Sequence, residues 1–215
     1  MKKQEKREWI VAGALLAAFV LWTVLIRFVD VQAIGPDGSA VGFATLNAFV
    51  HRRTGVHMSL YTVTDWLGLV PIAFMLSFAA LGAWQWICRK RLGCVDRSIL
   101  VLGAFYAAVL AVYVLFELLV INFRPVLIDG RLEASYPSST TVLVLCVMPT
   151  SAMYLHRHIK GKRLRCVAVA ACVLFAAFMV GARLLSGVHW LTDIVGGILI
   201  SAGLVRLYAA FVQAE

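Results

Sequence analysis

The chain has 215 residues, of which 62% are hydrophobic and only 14% charged, with a mean hydropathy of +0.88. So little polar surface excludes a soluble domain, and the net charge of +9, which in a soluble protein would suggest nucleic acid, acts here through its distribution along the chain. What remains is an integral membrane protein, organised as one domain over residues 1–215 because the loops between its apolar stretches are short.

A membrane span needs about 20 predominantly apolar residues. Six stretches qualify: Trp9–Val29, Leu60–Cys88, Ser98–Ile121, Thr140–Leu155, Cys166–Leu185 and Trp190–Val212. The basic start, Met1-Lys2-Lys3-Gln4-Glu5-Lys6-Arg7, looks like a signal-peptide leader, with Val31-Gln32-Ala33 as a weak cleavage site. The apolar stretch behind it is near full span length, so a retained anchor is expected. With the N-terminus in the cytoplasm, fourteen of the 20 Lys and Arg residues fall inside, among them Lys2, Arg89, Arg157 and Arg206. The positive-inside rule then places both termini in the cytoplasm. Between the first two spans, Ile34-Gly35-Pro36-Asp37-Gly38 is turn chemistry. Ser39 is expected to cap a short helix ending near Thr54-Gly55, with Val41, Phe43, Leu46, Phe49 and Val50 on its apolar side. The expected fold is therefore all-α: six transmembrane helices plus a short interfacial helix on the outer leaflet, whose His51-Arg52-Arg53 run anchors it among lipid head groups. In the second span Pro71 is tolerable because neighbouring helices re-satisfy the freed carbonyl. In the last, Gly196, Gly197, Ser201 and Gly203 permit close helix packing. The five cysteines, at 88, 94, 146, 166 and 172, form no convincing extracellular disulfide and no zinc spacing.

Three polar clusters interrupt this apolar background, and the topology puts all of them at the outer face. The third span ends with Glu117, Asn122, Arg124 and Pro125; the fourth opens with Tyr136-Pro137-Ser138-Ser139-Thr140-Thr141; the fifth ends with Arg183 and the sixth begins with His189. Ionisable groups in or beside spans usually face a polar cavity and act there. If the chain is helical from Val188 onward, His189 and Asp193 are i and i+4, and the carboxylate can hold an imidazole N–H. Arg124 and Arg183 suit a phosphate, which guanidinium groups grip through bidentate, charge-assisted hydrogen bonds. The helix start at Ser138, Ser139 and Thr140 offers free N–H groups to the same anion. Each feature alone has a structural explanation; their convergence on one face argues for a site.

At these residues the chain resembles the type 2 phosphatidic acid phosphatases, the membrane lipid phosphate phosphatases. Their signature is a Lys followed after six residues by Arg-Pro, then Pro-Ser-Gly-His, then Ser-Arg, five residues, His, three residues, Asp. Arg124-Pro125, Pro137-Ser138 and the Arg183, His189, Asp193 set match it. The resemblance implies a metal-independent phosphatase without a cofactor. His189 would be the nucleophile that forms a phosphohistidine, Asp193 its orienting partner, and Arg124 and Arg183, with the amides around Ser138 and Ser139, the phosphate clamp. Its substrate would be a phosphorylated membrane lipid, met from the outer side of the cell membrane. Nucleic acid is not expected as a partner, and the sequence leaves homo-oligomerisation open.

Four positions depart from the family pattern: Glu117 for the Lys, Thr140 for the His, Ala182 for the Ser and Ser139 for the Gly. The family His is the general acid for the leaving group, a role threonine does not fill at neutral pH, and losing such an acid costs about 10²–10⁴-fold. An alkoxide leaving group, with a conjugate acid near water's pKa of about 15.7, needs that proton, whereas a departing phosphate, with a second pKa near about 6, barely does. A lipid diphosphate such as undecaprenyl diphosphate is thus the expected substrate of an active enzyme. The alternative is an impaired relative that binds or helps transport phosphorylated lipids without hydrolysing them.

Overall fold

The computed structural model describes residues 3–213, so Lys2, one of the basic residues assigned to the cytoplasmic side, lies outside the described residues. The described chain is helical, with α1 (Lys3–Phe28), α2 (Ala44–Thr54), α3 (Met58–Leu67), α4 (Leu69–Arg89), α5 (Arg97–Leu118), α6 (Ser139–His158), α7 (Lys162–Leu185) and α8 (Leu191–Gln213). Isolated bridges join Gln32 to Val41, Phe123 to Ala134 and Ile128 to Arg131.

Among the described residues, six segments are long and apolar enough to cross a membrane, and they coincide with the six stretches read from the sequence: Gln4–Phe28, Met58–Arg89, Arg97–Leu118, Ser139–His158, Lys162–Leu185 and Leu191–Val212. The second comprises α3 and α4, which meet at Gly68. Pro71 lies in the first turn of α4, and its missing N–H removes a helical bond to the preceding turn. Burial divides the bundle into centre and periphery. Half of the α6 span and half of the α8 span are enclosed by protein, against at most 22% of any other. The central pair is flanked by α1, which packs along α8, and by α7, which packs along α6.

The small residues of α8 permit these approaches. A Cβ on Gly197 would stand 2.9 Å from Thr141 Cγ2 of α6, and one on Gly203 2.8 Å from Leu16 Cδ2 of α1. Side chains that close the inner faces include Leu102, Val109, Val142 and Val147. Burial of each such side chain contributes about 1.5–3 kcal/mol relative to an aqueous environment, a term that counts only where protein replaces water rather than lipid.

The segment between the first two spans differs from expectation in two respects. Ser39 does not start the helix; it closes the one-turn 3-10 helix Pro36–Gly38. The start of α2 is instead Phe43, which takes a left-handed conformation without a side-chain cap. The Gln32–Val41 bridge occupies the chain ahead of it. Secondly, α2 is bound to the start of α8 and to the loop before it. Asn47, fully buried, donates to Gly42 O at 2.8 Å and Thr192 Oγ1 at 3.0 Å, and accepts from Thr192 N–H at 3.2 Å. His51 lies 3.1 Å from Gly187 O through Nε2 and packs against Trp190. A side chain expected among lipid head groups thus holds protein backbone.

Candidate active site

The end of α7, the loop 186–190 and the start of α8 form the frame. Arg183 occupies the last turn of α7. Ser186 then donates to Arg183 O at 2.7 Å, while its carbonyl accepts His57 N–H at 2.9 Å. Gly187 has φ of +69°, and a Cβ there would fall 2.9 Å from the carbonyl carbon of Gly55. The turn that carries the chain from Arg183 to His189 therefore requires glycine. Gly187→Ala is expected to destabilise the protein by about 1–3 kcal/mol through backbone strain alone, with the Gly55 clash in addition. Thermal unfolding in detergent measures it, and an unchanged midpoint would show that the turn relaxes without cost.

The helix begins at Leu191, not at Val188, so the expectation that His189 and Asp193 share one helical face is corrected. Trp190 is the capping position. Asp193 Oδ2 accepts Trp190 N–H at 2.9 Å, the backward reach of a third-position carboxylate toward the cap. His189, one residue outside the helix, has its Nδ1 at 3.9 Å from Asp193 Oδ2, beyond hydrogen-bond range. The space between them is bridged by Ser135, whose Oγ lies 3.0 Å from His189 Nδ1 and 2.5 Å from Asp193 Oδ2. Asn122 donates to the other carboxylate oxygen at 3.3 Å. Asp193, Ser135, Asn122 and His189 are each at most 3% exposed. Burial is the main influence on the His189 ring, with the charges of Arg124 and Arg183 acting in the same sense; together they push it down to about 4. The imidazole is therefore neutral at physiological pH, with one ring nitrogen free of its proton.

Arg124 and Arg183 converge on one aromatic ring. Their guanidinium carbons lie 5.9 Å and 4.8 Å from the ring centroid of Tyr61, within cation–π range. Arg183 Nη1 also donates to Thr64 Oγ1 at 3.2 Å. Arg124 Nε stands 3.1 Å from Glu133 Oε2, an ion pair whose angle falls short of a hydrogen bond. An ion pair with one of these arginines was one of two expectations for Glu117, the other being a protonated carboxyl. Glu117 sits one residue before the end of α5, where Tyr113, a turn earlier, is the polar neighbour that interacts with it. Because α5 ends at Leu118, Arg124 lies in the irregular segment beyond it.

The opening of α6 closes the site. Ser138 is the capping residue and fully buried, with its N–H on Asp193 O at 3.2 Å and its Oγ accepting from Thr141 Oγ1 at 3.0 Å. Ser139 and Thr140 line a cavity of about 580 Å³ together with His189, Ser135, Glu117 and Asp65. Its remaining wall is mainly apolar, built from residues such as Leu69, Ile72 and Met75 of α4 and Leu110 and Phe116 of α5. Ser135, Tyr61, Thr64 and Asp65 belong to this arrangement and were not among the residues read from the sequence. Ser135 directly precedes the Tyr136-Pro137-Ser138 run, which is a local signal. Tyr61, Thr64 and Asp65 carry none, because their place beside Arg183 follows only from the packing of α3 on α7.

Among the described residues, four buried side-chain nitrogens make no hydrogen bond: Arg124 Nε and Nη1, Arg183 Nε and His189 Nε2. Enclosed guanidinium donors that make no hydrogen bond are costly, even where, as at Arg124 Nε, a carboxylate stands nearby. An anion shared by the two arginines would satisfy them.

A model of the PAP2 superfamily matches residues 100–215, the part of the chain that holds Arg124, Ser138, Arg183, His189 and Asp193. No curated protein sequence matches. Among solved structures, the fold is similar to the crystal structure of a transmembrane PAP2-type phosphatidylglycerolphosphate phosphatase from Bacillus subtilis, with a TM-score of 0.66 at 18% identity over 94% of this chain and 96% of that one.

Proposed function

The chain belongs to the PAP2 superfamily, and on that premise we propose that it is a lipid phosphatase working through a phosphohistidine at His189. The observation that carries this reading is the set of buried nitrogens that make no hydrogen bond, on two guanidinium groups and one imidazole, beside an apolar cavity. Arg124 and Arg183 hold the non-bridging oxygens of the phosphate, helped by the amides that open α6 from Ser139 onward, the Ser138 N–H being taken by Asp193 O. His189 Nε2 attacks phosphorus, the N–P bond forms as the bond to the leaving oxygen breaks, and water then releases inorganic phosphate from the histidine. The lipid chain lies in the apolar cavity. The pocket faces the extracytoplasmic side of the cell membrane, with both termini in the cytoplasm, on the strength of the charge distribution.

A lipid diphosphate, of which undecaprenyl diphosphate is an example, is the preferred substrate. Thr140 lines the cavity where the family has its acid, and a departing phosphate leaves without a proton far more readily than an alkoxide. The relative from Bacillus subtilis is described as acting on phosphatidylglycerolphosphate, a monoester, so the two proteins would differ in leaving group. Glu117 and Thr140 also favour a second reading, a carrier or sensor that binds phosphorylated lipid and leaves it intact. Phosphate release from lipid mono- and diphosphates by purified protein separates the two. The enzyme is expected to release phosphate from diphosphates fastest, and His189→Ala to abolish release; tight lipid binding without turnover would establish the second reading.

A further inference from the structure

We infer that Ser135 is a positioning residue that fixes the tautomer of His189, a role that rests on the reading of His189 as the nucleophile. A carboxylate accepts hydrogen bonds and donates none. Asp193 already receives Trp190 N–H on Oδ2 and the Asn122 amide on Oδ1, and Ser135 Oγ lies 2.5 Å from the same Oδ2. The Ser135 proton therefore points at Asp193. That leaves only lone pairs on Oγ for His189 Nδ1 at 3.0 Å, so Nδ1 must carry the ring proton. Nε2 is then bare, and it is the ring nitrogen that has no partner in the protein. The opposite tautomer would place a proton on Nε2 and block attack.

The relay is held from behind. Ser135 N–H donates to Asn122 O at 2.9 Å, and the Asn122 side chain returns to Asp193, so three residues from separate segments lock one another. The Tyr136 hydroxyl, next in the chain, is hydrogen-bonded to Thr23 of α1 at 2.7 Å. During attack the ring becomes positive as Nε2 bonds to phosphorus. Nδ1–H stays on Ser135 and the Ser135 proton stays on Asp193, so charge is stabilised across the chain and no proton has to move. Direct contact between His189 and Asp193 does not achieve this, because they stand 3.9 Å apart.

The test reads the tautomer itself. Protein labelled with ¹⁵N at its five histidines is examined in detergent at pH 7.5, the His189 signal being the one lost in His189→Gln. The expected wild-type spectrum is a neutral ring protonated at Nδ1. Ser135→Ala is expected to give a mixture of tautomers and to lower kcat by about 10- to 100-fold, the usual effect of removing a group that orients a functional histidine, with KM within about two-fold. Ser135→Thr, which keeps the hydroxyl, is expected to restore both. A wild-type ring protonated at Nε2 overturns the inference, and so does a Ser135→Ala ring that keeps its proton on Nδ1, whatever happens to activity. If Ser135→Ala does not fold, the wild-type and Ser135→Thr spectra decide. Because the spectrum needs no turnover, failure of the phosphatase reading leaves it unaffected, and a wrong tautomer leaves phosphate release by the wild type unaffected.

Discussion

Arg183→Lys is expected to lower kcat/KM for lipid phosphate by about 10²-fold, with the unfolding midpoint little changed. The magnitude follows from the type of bond lost. A hydrogen bond to a charged group is worth about 1.5–3 kcal/mol, and one donor aimed at developing charge in a transition state is worth about 10²–10³-fold in kcat. Lysine keeps the positive charge and most of the aliphatic stem, but presents a point charge where the guanidinium presents a planar fork. Of that fork, Nη1 is committed to Thr64 and Nε is free. An ammonium cannot serve Thr64, the face of Tyr61 and a phosphate from one position. Arg183→Ala is a poorer test, because the side chain is 2% exposed and its removal leaves a void against Tyr61 and Thr64. Steady-state kinetics and thermal unfolding of Arg183→Lys in the same detergent give both readings. Full activity with a collapsed midpoint would make Arg183 a structural staple between α3 and α7 and remove it from the clamp.

The membrane plan was legible because its signal is local. A stretch of predominantly apolar residues near span length identifies a span whatever surrounds it, and the six read this way coincide with the six span-length helical segments of the described residues. The spacing of Arg183, His189 and Asp193 was legible too. Its geometry was not, because Val188-His189-Trp190 reads as the apolar start of a helix, while the true start is set from outside the segment. Asp193 reaches back to Trp190 N–H, and Asn47, 145 residues away in sequence, takes Thr192 N–H. Arg124 illustrates the same limit. Its partner Glu133 lies across a turn closed by the Phe123–Ala134 and Ile128–Arg131 bridges, and neither residue lies in a periodic segment that would foretell the pairing. Ser135 entered the site in a similar way, through contacts made only once α8 packs against the start of α6.

Thr140→His is expected to raise turnover of a lipid monophosphate by about 10²–10⁴-fold, the range for gaining a positioned general acid, and turnover of a diphosphate by far less. Thr140 lines the same cavity as His189, in the first turn of α6, so a histidine there would face the leaving oxygen. The difference between substrates is the informative quantity, since an alkoxide needs the proton and a departing phosphate does not. Glu117 complicates the result in a testable way. It lies on the wall of the same cavity, where its carboxyl oxygens would compete with the leaving oxygen for the proton of an introduced imidazole. The double variant Thr140→His with Glu117→Lys is therefore expected to exceed the single one on the monophosphate. If Glu117 itself donates the proton, Glu117→Gln lowers monophosphate turnover far more than diphosphate turnover while lipid binding persists. If it serves only the fold, through Tyr113, Glu117→Gln lowers the unfolding midpoint and spares the chemistry. Equal gains on mono- and diphosphate in both the single and the double variant would refute the leaving-group argument, and with it the preference for a lipid diphosphate.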